Sequence, residues 1–259
     1  MTVMALVALI WLVSAVTMAV AWAVCMRVSN VGYVDVVWAG LMAVAALLAG
    51  TLGDGAELHR GLVAALGALW GMRLCLHLLQ RVLHEPEDGR YQALRQQWHG
   101  SAARFFVFFH LQAVVVALFA LPFIAAAAHP GREFNVWIII AILTWIASVA
   151  GEAIADRQLA RFRADPANHG KTCRAGLWAW SRHPNYFFEW LHWFTYVFLA
   201  VGGPLFWLSL TGPVVMFAFL YRVSGIPWTE AQALRSRGDD YPRYQREVSA
   251  FFPWPPRRG

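Results

Sequence analysis

Seven long apolar stretches constrain the fold of this chain more than any other feature of its sequence. They cover residues 3–26, 33–52, 61–83, 105–128, 136–155, 185–202 and 205–222. Each is close to the roughly 20 residues with which an α-helix crosses a bilayer. Because 59% of the 259 residues are hydrophobic and only 14% are charged, a soluble core could not bury this much apolar surface. The sequence therefore predicts an all-α integral membrane protein, a single domain over residues 1–259 with seven transmembrane helices.

The distribution of arginine predicts how these helices are oriented. With the N-terminus outside, Arg27, the arginines of 81–104 and 157–182 and the C-terminal tail lie on the cytoplasmic side, and only Arg60 and Arg132 remain outside. Such an excess of positive charge is typical of cytoplasmic loops. The net charge of +6 follows from these loops, so it does not indicate a nucleic-acid partner.

The stretch 181–193 concentrates polar groups at the start of an apolar helix. Pro184 suits the first turn of a helix, where its missing N–H would have no partner. Asn185, Glu189 and Trp193 follow at intervals of four residues and share one helix face. A carboxylate one turn inside a membrane helix must face protein or a wet cavity, so Glu189 indicates a functional site. Alternatively, Glu189 pairs with an arginine and only holds two helices together.

Three further polar side chains belong to the second and third predicted helices. Asp35 and Arg73 have opposite charges, and burying either alone in hydrocarbon would cost several kcal/mol. They either form a structural ion pair or build a site, because membrane enzymes also gather buried polar groups. A desolvated Asp35 would stay protonated near neutral pH and donate a hydrogen bond to a substrate carbonyl, and Tyr33 is a second possible donor.

Arginines on the cytoplasmic side provide groups that can bind phosphate, because guanidinium forks match phosphate oxygens. Alternatively, they only set the topology and bind anionic lipid headgroups. Neither a dinucleotide fingerprint nor a phosphate loop is present, so a nucleotide cofactor would be held by side chains. Histidines, cysteines and carboxylates do not stand at metal-ligand spacing, and the sequence predicts no metal site. The arginines are Arg157, Arg161, Arg163, Arg174, Arg182, Arg235, Arg237, Arg243 and Arg246.

Three motifs resemble a known family of membrane enzymes. They are Ser181-Arg182-His183-Pro184-Asn185-Tyr186, Gly225-Ile226-Pro227-Trp228-Thr229-Glu230 and Asp240-Tyr241-Pro242. Together with Glu189 and Trp193, they resemble the bacterial branch of the steroid 5-alpha-reductase family, over essentially the whole chain. The chain is more distantly similar to sterol C14-reductases. The Arg-His-Pro-x-Tyr core is also similar to that of isoprenylcysteine carboxyl methyltransferases.

The resemblance implies NADPH, held from the cytoplasmic side of a seven-helix bundle whose loops and tail close over the cofactor cavity. It implies hydride transfer to the β-carbon of a 3-oxo-Δ4 steroid or similar hydrophobic enone, whose carbonyl a glutamate and a tyrosine polarise. By this resemblance Asp35 takes the place of the glutamate, Tyr33 is the candidate for the tyrosine, and Arg73 tunes Asp35. We expect a monomer in a bacterial inner membrane, in contact with lipid.

The resemblance also assigns the cofactor contacts. Asn185, Glu189 and Trp193 match one helix face of the family, and Glu230 stands where the tail contacts the adenosine. A nicotinamide carboxamide needs a donor and an acceptor, which Asn185 and Glu189 supply together. The expected cofactor-binding residues are Asp156, Arg163, Arg174, Arg182, His183, Asn185, Tyr186, Glu189, Trp193, Glu230, Arg237, Tyr241 and Arg246.

Two other functions stay open at this point. The Arg182-His183-Pro184-x-Tyr186 core by itself permits a membrane methyltransferase that uses S-adenosylmethionine. A non-enzymatic lipid-binding or scaffold protein would leave Asp35 and Glu189 as contacts between helices. The number of polar groups inside the predicted helices favours an enzyme over a scaffold. The seven helices and the arginine-rich loop favour a larger, phosphate-bearing cofactor over S-adenosylmethionine.

Overall fold

The computed structural model describes residues 1–257 as helices joined by short connections. No strand occurs among these residues, which confirms the all-α prediction. Single 3-10 turns occupy Pro166–Asn168 and Gly176–Ala179, and a π-helical turn occupies Phe219–Val223. The α-helices are α1 (Val3–Val28), α2 (Tyr33–Leu52), α3 (Glu57–His84), α4 (Gly89–Gln97), α5 (Ala102–Ala127), α6 (Val136–Ala164), α7 (Pro184–His192), α8 (Phe194–Leu199), α9 (Phe206–Ser209), α10 (Thr211–Ala218), α11 (Ile226–Ser236) and α12 (Asp240–Glu247).

Six helical segments within residues 1–257 are long and apolar enough to cross a membrane. Their outward faces are apolar as well: in α1, Leu12, Val16 and Val20 are each more than half exposed. Soluble proteins rarely expose continuous apolar surfaces of this kind, whereas lipid covers them. The chain is therefore a membrane protein. The six segments are Val3–Val28, Tyr33–Leu52, Glu57–His84, Ala102–Ala127, Val136–Ala164 and Phe206–Ser236.

The sixth predicted span, residues 185–202, is divided in the structure. α7 ends at His192, a turn follows at Trp193, and α8 ends at Leu199. Neither helix has the length that a bilayer crossing requires by itself. Of the seven predicted spans, this is the one without a counterpart among the six long apolar segments of residues 1–257, so the count of seven and the orientation stay predictions. The seventh predicted span, residues 205–222, lies within the segment Phe206–Ser236, although α9, α10 and the π-helical turn divide it.

The chain divides into two compact units. The first unit comprises Met1–Trp137 and Tyr196–Thr211, and contains α1 to α5 and α9. The second unit comprises Ile138–Thr195 and residues 212–257, and contains most of α6 together with α7, α11 and α12. The predicted catalytic residues belong to the first unit and the predicted cofactor residues to the second.

In the first unit, α2 and α3 pack closely because small residues line both helices. A Cβ added to Gly67 would lie 2.4 Å from the Cβ of Ala46, and one added to Gly71 would lie 2.8 Å from the backbone nitrogen of Ala43. Ala43 and Ala46 are themselves buried. Since lipid is as apolar as leucine, membrane helices associate through such close packing of backbones rather than through a hydrophobic driving force.

Replacing Gly67 by valine is expected to destabilise the first unit by about 1–3 kcal/mol, because the added atoms overlap Ala46 of α2. Thermal unfolding of the detergent-purified protein measures the effect. The matched control is Gly61→Val on the same helix, since a Cβ added at Gly61 meets no atom within 4 Å. Equal melting temperatures for the two variants would contradict the close packing of α2 on α3.

In the second unit, α6 continues well beyond the length of a membrane span. Its 29 residues extend about 44 Å at 1.5 Å per residue, against a hydrocarbon core of about 30 Å. The helix is thus longer than one membrane crossing requires, and it extends past the predicted span 136–155. Directly after it, Asp165 accepts the backbone N–H of Ala167 at 2.9 Å, and Pro166 begins a 3-10 turn. Pro184 occupies the first turn of α7, also as predicted.

The C-terminal tail packs back onto the second unit. The hydroxyl of Tyr244 donates to the carbonyl oxygen of Trp178, and the hydroxyl of Ser181 donates to the carbonyl oxygen of Phe251 at 2.8 Å. These bonds join the tail to the segment that leads into α7. The apolar cluster between α11 and α12 consists of the buried residues Ala233, Tyr241, Tyr244 and Val248.

Candidate functional site

The first candidate site lies around Asp35, in the first turn of α2. There its carboxylate is favoured by the positive end of the helix dipole. The hydroxyl of Tyr91 donates to Asp35 Oδ1 at 2.6 Å, and Nη2 of Arg90 donates to Oδ2 at 3.1 Å. Both donors belong to α4. The carboxylate is about one third exposed and acts as an acceptor from two groups at once.

α4 holds these two donors in place through its own N-terminus. Asp88 caps the helix by accepting the backbone N–H of Arg90 at 2.9 Å, and also accepts Nε of Arg90 at 3.0 Å. Glu87 accepts the backbone N–H of Val31, just before α2, at 2.7 Å. Burial, and next the charge of Asp35, raise the pKa of Tyr91 well above its usual value. Tyr91 therefore keeps its proton and donates it to the hydrogen bond.

A small cavity adjoins this cluster. Asp35, Tyr91 and Asp88 line it together with apolar atoms of α3, and its volume is about 20 Å³. That volume corresponds to about one water molecule. The cavity therefore has room for one water-sized group beside the carboxylate of Asp35.

The other two predicted catalytic residues also belong to the first unit. Tyr33 is the first residue of α2 and is half-buried, and Arg73 lies in the middle of α3. Arg90, which was not among the predicted catalytic residues, supplies a positive charge to Asp35. Sequence reasoning missed Tyr91 and Arg90 because it treated the segment between the third and fourth spans as a loop. The available signal was Asp88, a good N-cap residue, immediately before Gly89.

The second candidate site is built on the face of α7 that the sequence singled out. Nδ2 of Asn185 donates to Oδ1 of Asp156 on α6 at 3.3 Å, and Oδ1 of Asn185 accepts the backbone N–H of Tyr186 at 3.0 Å. Trp193 is fully buried, whereas Glu189 is half-buried. α6 and α7 meet closely, since a Cβ on Gly151 would lie 2.4 Å from the ring of Phe188.

Arg182, directly before α7, is the main connection between this face and the tail. Its Nε donates to Oε1 of Glu230 at 2.7 Å, and its Nη1 donates to the carbonyl oxygens of Gln245 and Val248 at 3.0 and 2.7 Å. The side chains of Arg182 and Glu230 are only 11% and 15% exposed. Glu230 also accepts the side-chain amide of Gln245 at 2.8 Å. The guanidinium of Arg182 is therefore engaged by the tail.

His183 completes this connection. Its Nε2 lies 3.3 Å from Oε1 of Glu230, and its ring stacks on that of Tyr186 with centroids 5.3 Å apart. Burial lowers the pKa of His183, an effect that the hydrogen bond to Glu230 only partly offsets. The imidazole is consequently neutral near pH 7 and, in the tautomer assigned from this contact, donates through Nε2.

Arg174 forms a second connection to the tail. It pairs with Glu247 through Nη1 and with Asp240 Oδ1 through Nη2 at 3.2 Å, and its guanidinium lies over the ring of Tyr244. Asp240 also accepts the backbone N–H of Thr172 at 2.7 Å. Although burial opposes the change, the hydrogen bonds from Thr172 and Arg174 lower the pKa of Asp240. Arg174 and Arg182 are thus both neutralised by tail carboxylates.

The other arginines of the predicted cofactor set differ from Arg174 and Arg182 in their surroundings. Arg237 lies over the ring of the buried Tyr241, 5.5 Å from its centroid, and Arg246 is exposed on α12. Arg163 is exposed near the end of α6. Arg237 and Arg246 form no ion pair within residues 1–257, which leaves both guanidinium groups available to an anionic ligand. The predicted cofactor residues thus lie on α6, on α7, in the segment that joins them, and in the tail helices, except Trp193 and Arg237, which follow α7 and α11.

Comparison with known proteins places the chain in a family. Residues 21–248 match the family model described as "Protein of unknown function (DUF1295)". An uncharacterized protein of Schizosaccharomyces pombe is 28% identical over 265 aligned residues, which cover 90% of this chain and 76% of that protein. No solved structure matches the chain significantly. Because the family model covers most of the sequence, the chain belongs to the DUF1295 family.

Proposed function

We propose that this protein is an NADPH-dependent reductase of hydrophobic enones, with 3-oxo-Δ4 steroids as the model substrate class. The observation that carries the proposal is the polar pair Asn185–Asp156 on α6 and α7, beside a basic tail docked through Arg182 and Glu230. Polar groups in apolar helices are costly and usually functional. The DUF1295 family includes steroid 5-alpha-reductase-like proteins, which agrees with this assignment.

The donor and acceptor groups of the second unit fit NADPH. Asn185 and Glu189 would hold the carboxamide of the nicotinamide, since they combine an amide donor with carboxylate acceptors. Arg237 and Arg246 would bind phosphate, because neither guanidinium is neutralised within residues 1–257. Arg182 and Arg174 would instead position the tail. When bound, the cofactor supplies a hydride to the β-carbon of the enone.

Residues of the first unit would act on the carbonyl. As hydride adds to the β-carbon, the electrons of the double bond move towards the carbonyl oxygen, and a proton is then taken up at the α-carbon. We assign stabilisation of the developing oxyanion to the donors Tyr33 and Arg73, and we add the hydroxyl of Tyr91, which retains its proton. The carboxylate of Asp35 accepts two hydrogen bonds, so we assign it a positioning role in place of the expected donation to the carbonyl. It holds the hydroxyl of Tyr91 at 2.6 Å, and a bound substrate oxygen would replace it as the acceptor.

The proposal includes the topology. We place the N-terminus outside, the arginine-rich loops and the tail in the cytoplasm of a bacterial cell, and the chain in its inner membrane as a monomer. The pair α7 and α8 would provide the seventh crossing. An S-adenosylmethionine-dependent methyltransferase and a non-enzymatic lipid-binding or scaffold protein are the competing functions, and the test below separates all three.

Ligand-dependent thermal stability tests the cofactor directly. NADPH at 100 times its dissociation constant is expected to stabilise the detergent-purified protein by about 2.7 kcal/mol, because a ligand that binds only the folded state shifts the unfolding equilibrium. NADH is the control for the additional phosphate and should stabilise less. Progesterone should then cause NADPH oxidation. Stabilisation by S-adenosylmethionine alone would make the protein a methyltransferase, and no stabilisation by either would favour a scaffold.

A further inference from the structure

An open groove runs along the first turns of α5 in the first unit, and its lining residue Phe108 packs edge-on against Tyr91 of the first candidate site at 6.2 Å. Its volume is about 450 Å³, and its lining is almost entirely apolar. Val107 and Leu111 form its floor and are each more than half exposed. The lining residues are Trp98, Ala103, Arg104, Val107, Phe108 and Leu111.

The connection between α4 and α5 creates this groove. His99 and Gly100 both adopt left-handed backbone conformations, with φ of 51° and 69°, and reverse the chain within four residues. The turn lays Trp98 across the start of α5, where its ring packs edge-on against Phe105 at 5.0 Å and Phe108 at 6.1 Å. The ring of Trp98 therefore forms one wall of the groove.

The length of α5 allows the groove to extend from headgroup depth into the acyl region of a bilayer. The 26 residues of α5 extend about 39 Å, so its ends reach beyond a hydrocarbon core of about 30 Å. Arg104 lies in the first turn, and Leu111 lies about 10 Å further along the axis. Nε1 of Trp22 donates to the carbonyl oxygen of Ala102, the first residue of α5, at 3.0 Å. Trp22 and Trp98 therefore both lie near the start of α5, a position typical of interfacial tryptophans.

Arg104 gives the groove its charge. Arg81, Arg90 and Arg95, at the same end of the first unit, all pair with carboxylates. The exposed guanidinium of Arg104 forms no ion pair or hydrogen bond within residues 1–257. A positive group above an apolar channel of this depth complements one molecule: a phosphate-bearing lipid whose acyl chain lies along α5.

We propose that this groove binds one anionic phospholipid, with the headgroup phosphate at Arg104 and an acyl chain along Val107 and Leu111. The inference does not depend on the reductase assignment, because none of these residues belongs to the proposed catalytic or cofactor set. Its contribution would be to fix α4, and hence Tyr91 and Arg90, at the membrane surface.

Native mass spectrometry of the full chain, released from nanodiscs of equal parts phosphatidylglycerol and phosphatidylcholine, tests the proposal. The wild type is expected to retain one lipid, with a preference for phosphatidylglycerol. Arg104→Gln should lower that preference about fivefold, because one surface arginine contributes about this factor to anionic-lipid binding. Arg104→Lys should keep it. Leu111→Trp should fill the groove and reduce retention of both lipids.

Two variants serve as matched controls. Arg132→Gln removes another exposed arginine, and Val114→Trp places a tryptophan at an exposed position of α5 outside the groove. Both should behave as the wild type. Unchanged preference in Arg104→Gln, unchanged retention in Leu111→Trp, or equal effects in the controls would each overturn the proposal. Displacement of the lipid by progesterone would also overturn it, since the groove would then be a substrate entrance.

Discussion

Replacing Arg182 by alanine is expected to lower the stability of the second unit by about 3–5 kcal/mol, because the carboxylate of Glu230 then stays buried without its main partner. The variant also leaves the carbonyl oxygens of Gln245 and Val248 without their donor. Thermal unfolding gives the size of the effect. Limited trypsin digestion shows whether the tail is released, through faster cleavage at exposed Arg235 and Arg243.

Arg246→Ala is the matched control, because Arg246 is an exposed arginine of the same tail without an ion pair within residues 1–257. Its stability should stay within about 0.5 kcal/mol of the wild type. The double variant Arg182→Ala with Glu230→Gln should be less destabilised than the sum of the single variants, because the two side chains interact directly. A wild-type melting temperature for Arg182→Ala would contradict the docking role.

The same pair of variants separates a positioning arginine from a phosphate ligand. If Arg182 positions the tail, Arg182→Ala should lose stability and NADPH stabilisation together. If Arg246 binds phosphate, Arg246→Ala should keep its stability and show weaker NADPH stabilisation. An Arg182→Ala variant that loses only NADPH binding would identify Arg182 as a direct ligand instead.

Much of the fold follows from the sequence because hydrophobic length and helix breakers are local signals. The apolar stretches predict α1, α2, α3 and α5 to within a few residues at most ends, and Asp165 and Pro166 predict the end of α6. The division at Trp193 could not be predicted in this way. Residues 185–201 contain neither proline nor glycine to mark a break, and hydrophobic length does not reveal where a helix turns.

The partners of the charged residues could not be predicted, because ion pairs join distant parts of the chain. Asp35 and Arg73 are both intramembrane charges by sequence, yet the structure pairs Asp35 with Arg90, 55 residues away. Arg182 finds its carboxylate 48 residues away in α11. The sequence thus identified which residues are unusual for a membrane helix. Only the three-dimensional structure distinguishes arginines that pair with carboxylates of the protein from arginines that stay available to a ligand.

The largest effect on turnover is expected at Asp35. Replacing it by alanine should lower kcat for enone reduction at least about 100-fold while NADPH stabilisation is retained, because the group that orients the hydroxyl of Tyr91 is lost. Tyr91→Phe, which removes only that hydroxyl, should lower kcat in the same direction. Steady-state rates with saturating NADPH and progesterone measure both.

Asp35 also anchors α4, so its two roles must be separated. Arg90→Gln breaks the ion pair to α4 but leaves the carboxylate and its bond to Tyr91. If the carboxylate acts on the reaction, Arg90→Gln should keep kcat within about tenfold, whereas Asp35→Ala and Tyr91→Phe should not. Equal losses in Asp35→Ala and Arg90→Gln, accompanied by lower melting temperatures, would reduce Asp35 to an anchor of α4. Unchanged turnover in Asp35→Ala would remove it from the mechanism, while NADPH-dependent stabilisation would still stand as evidence for the cofactor.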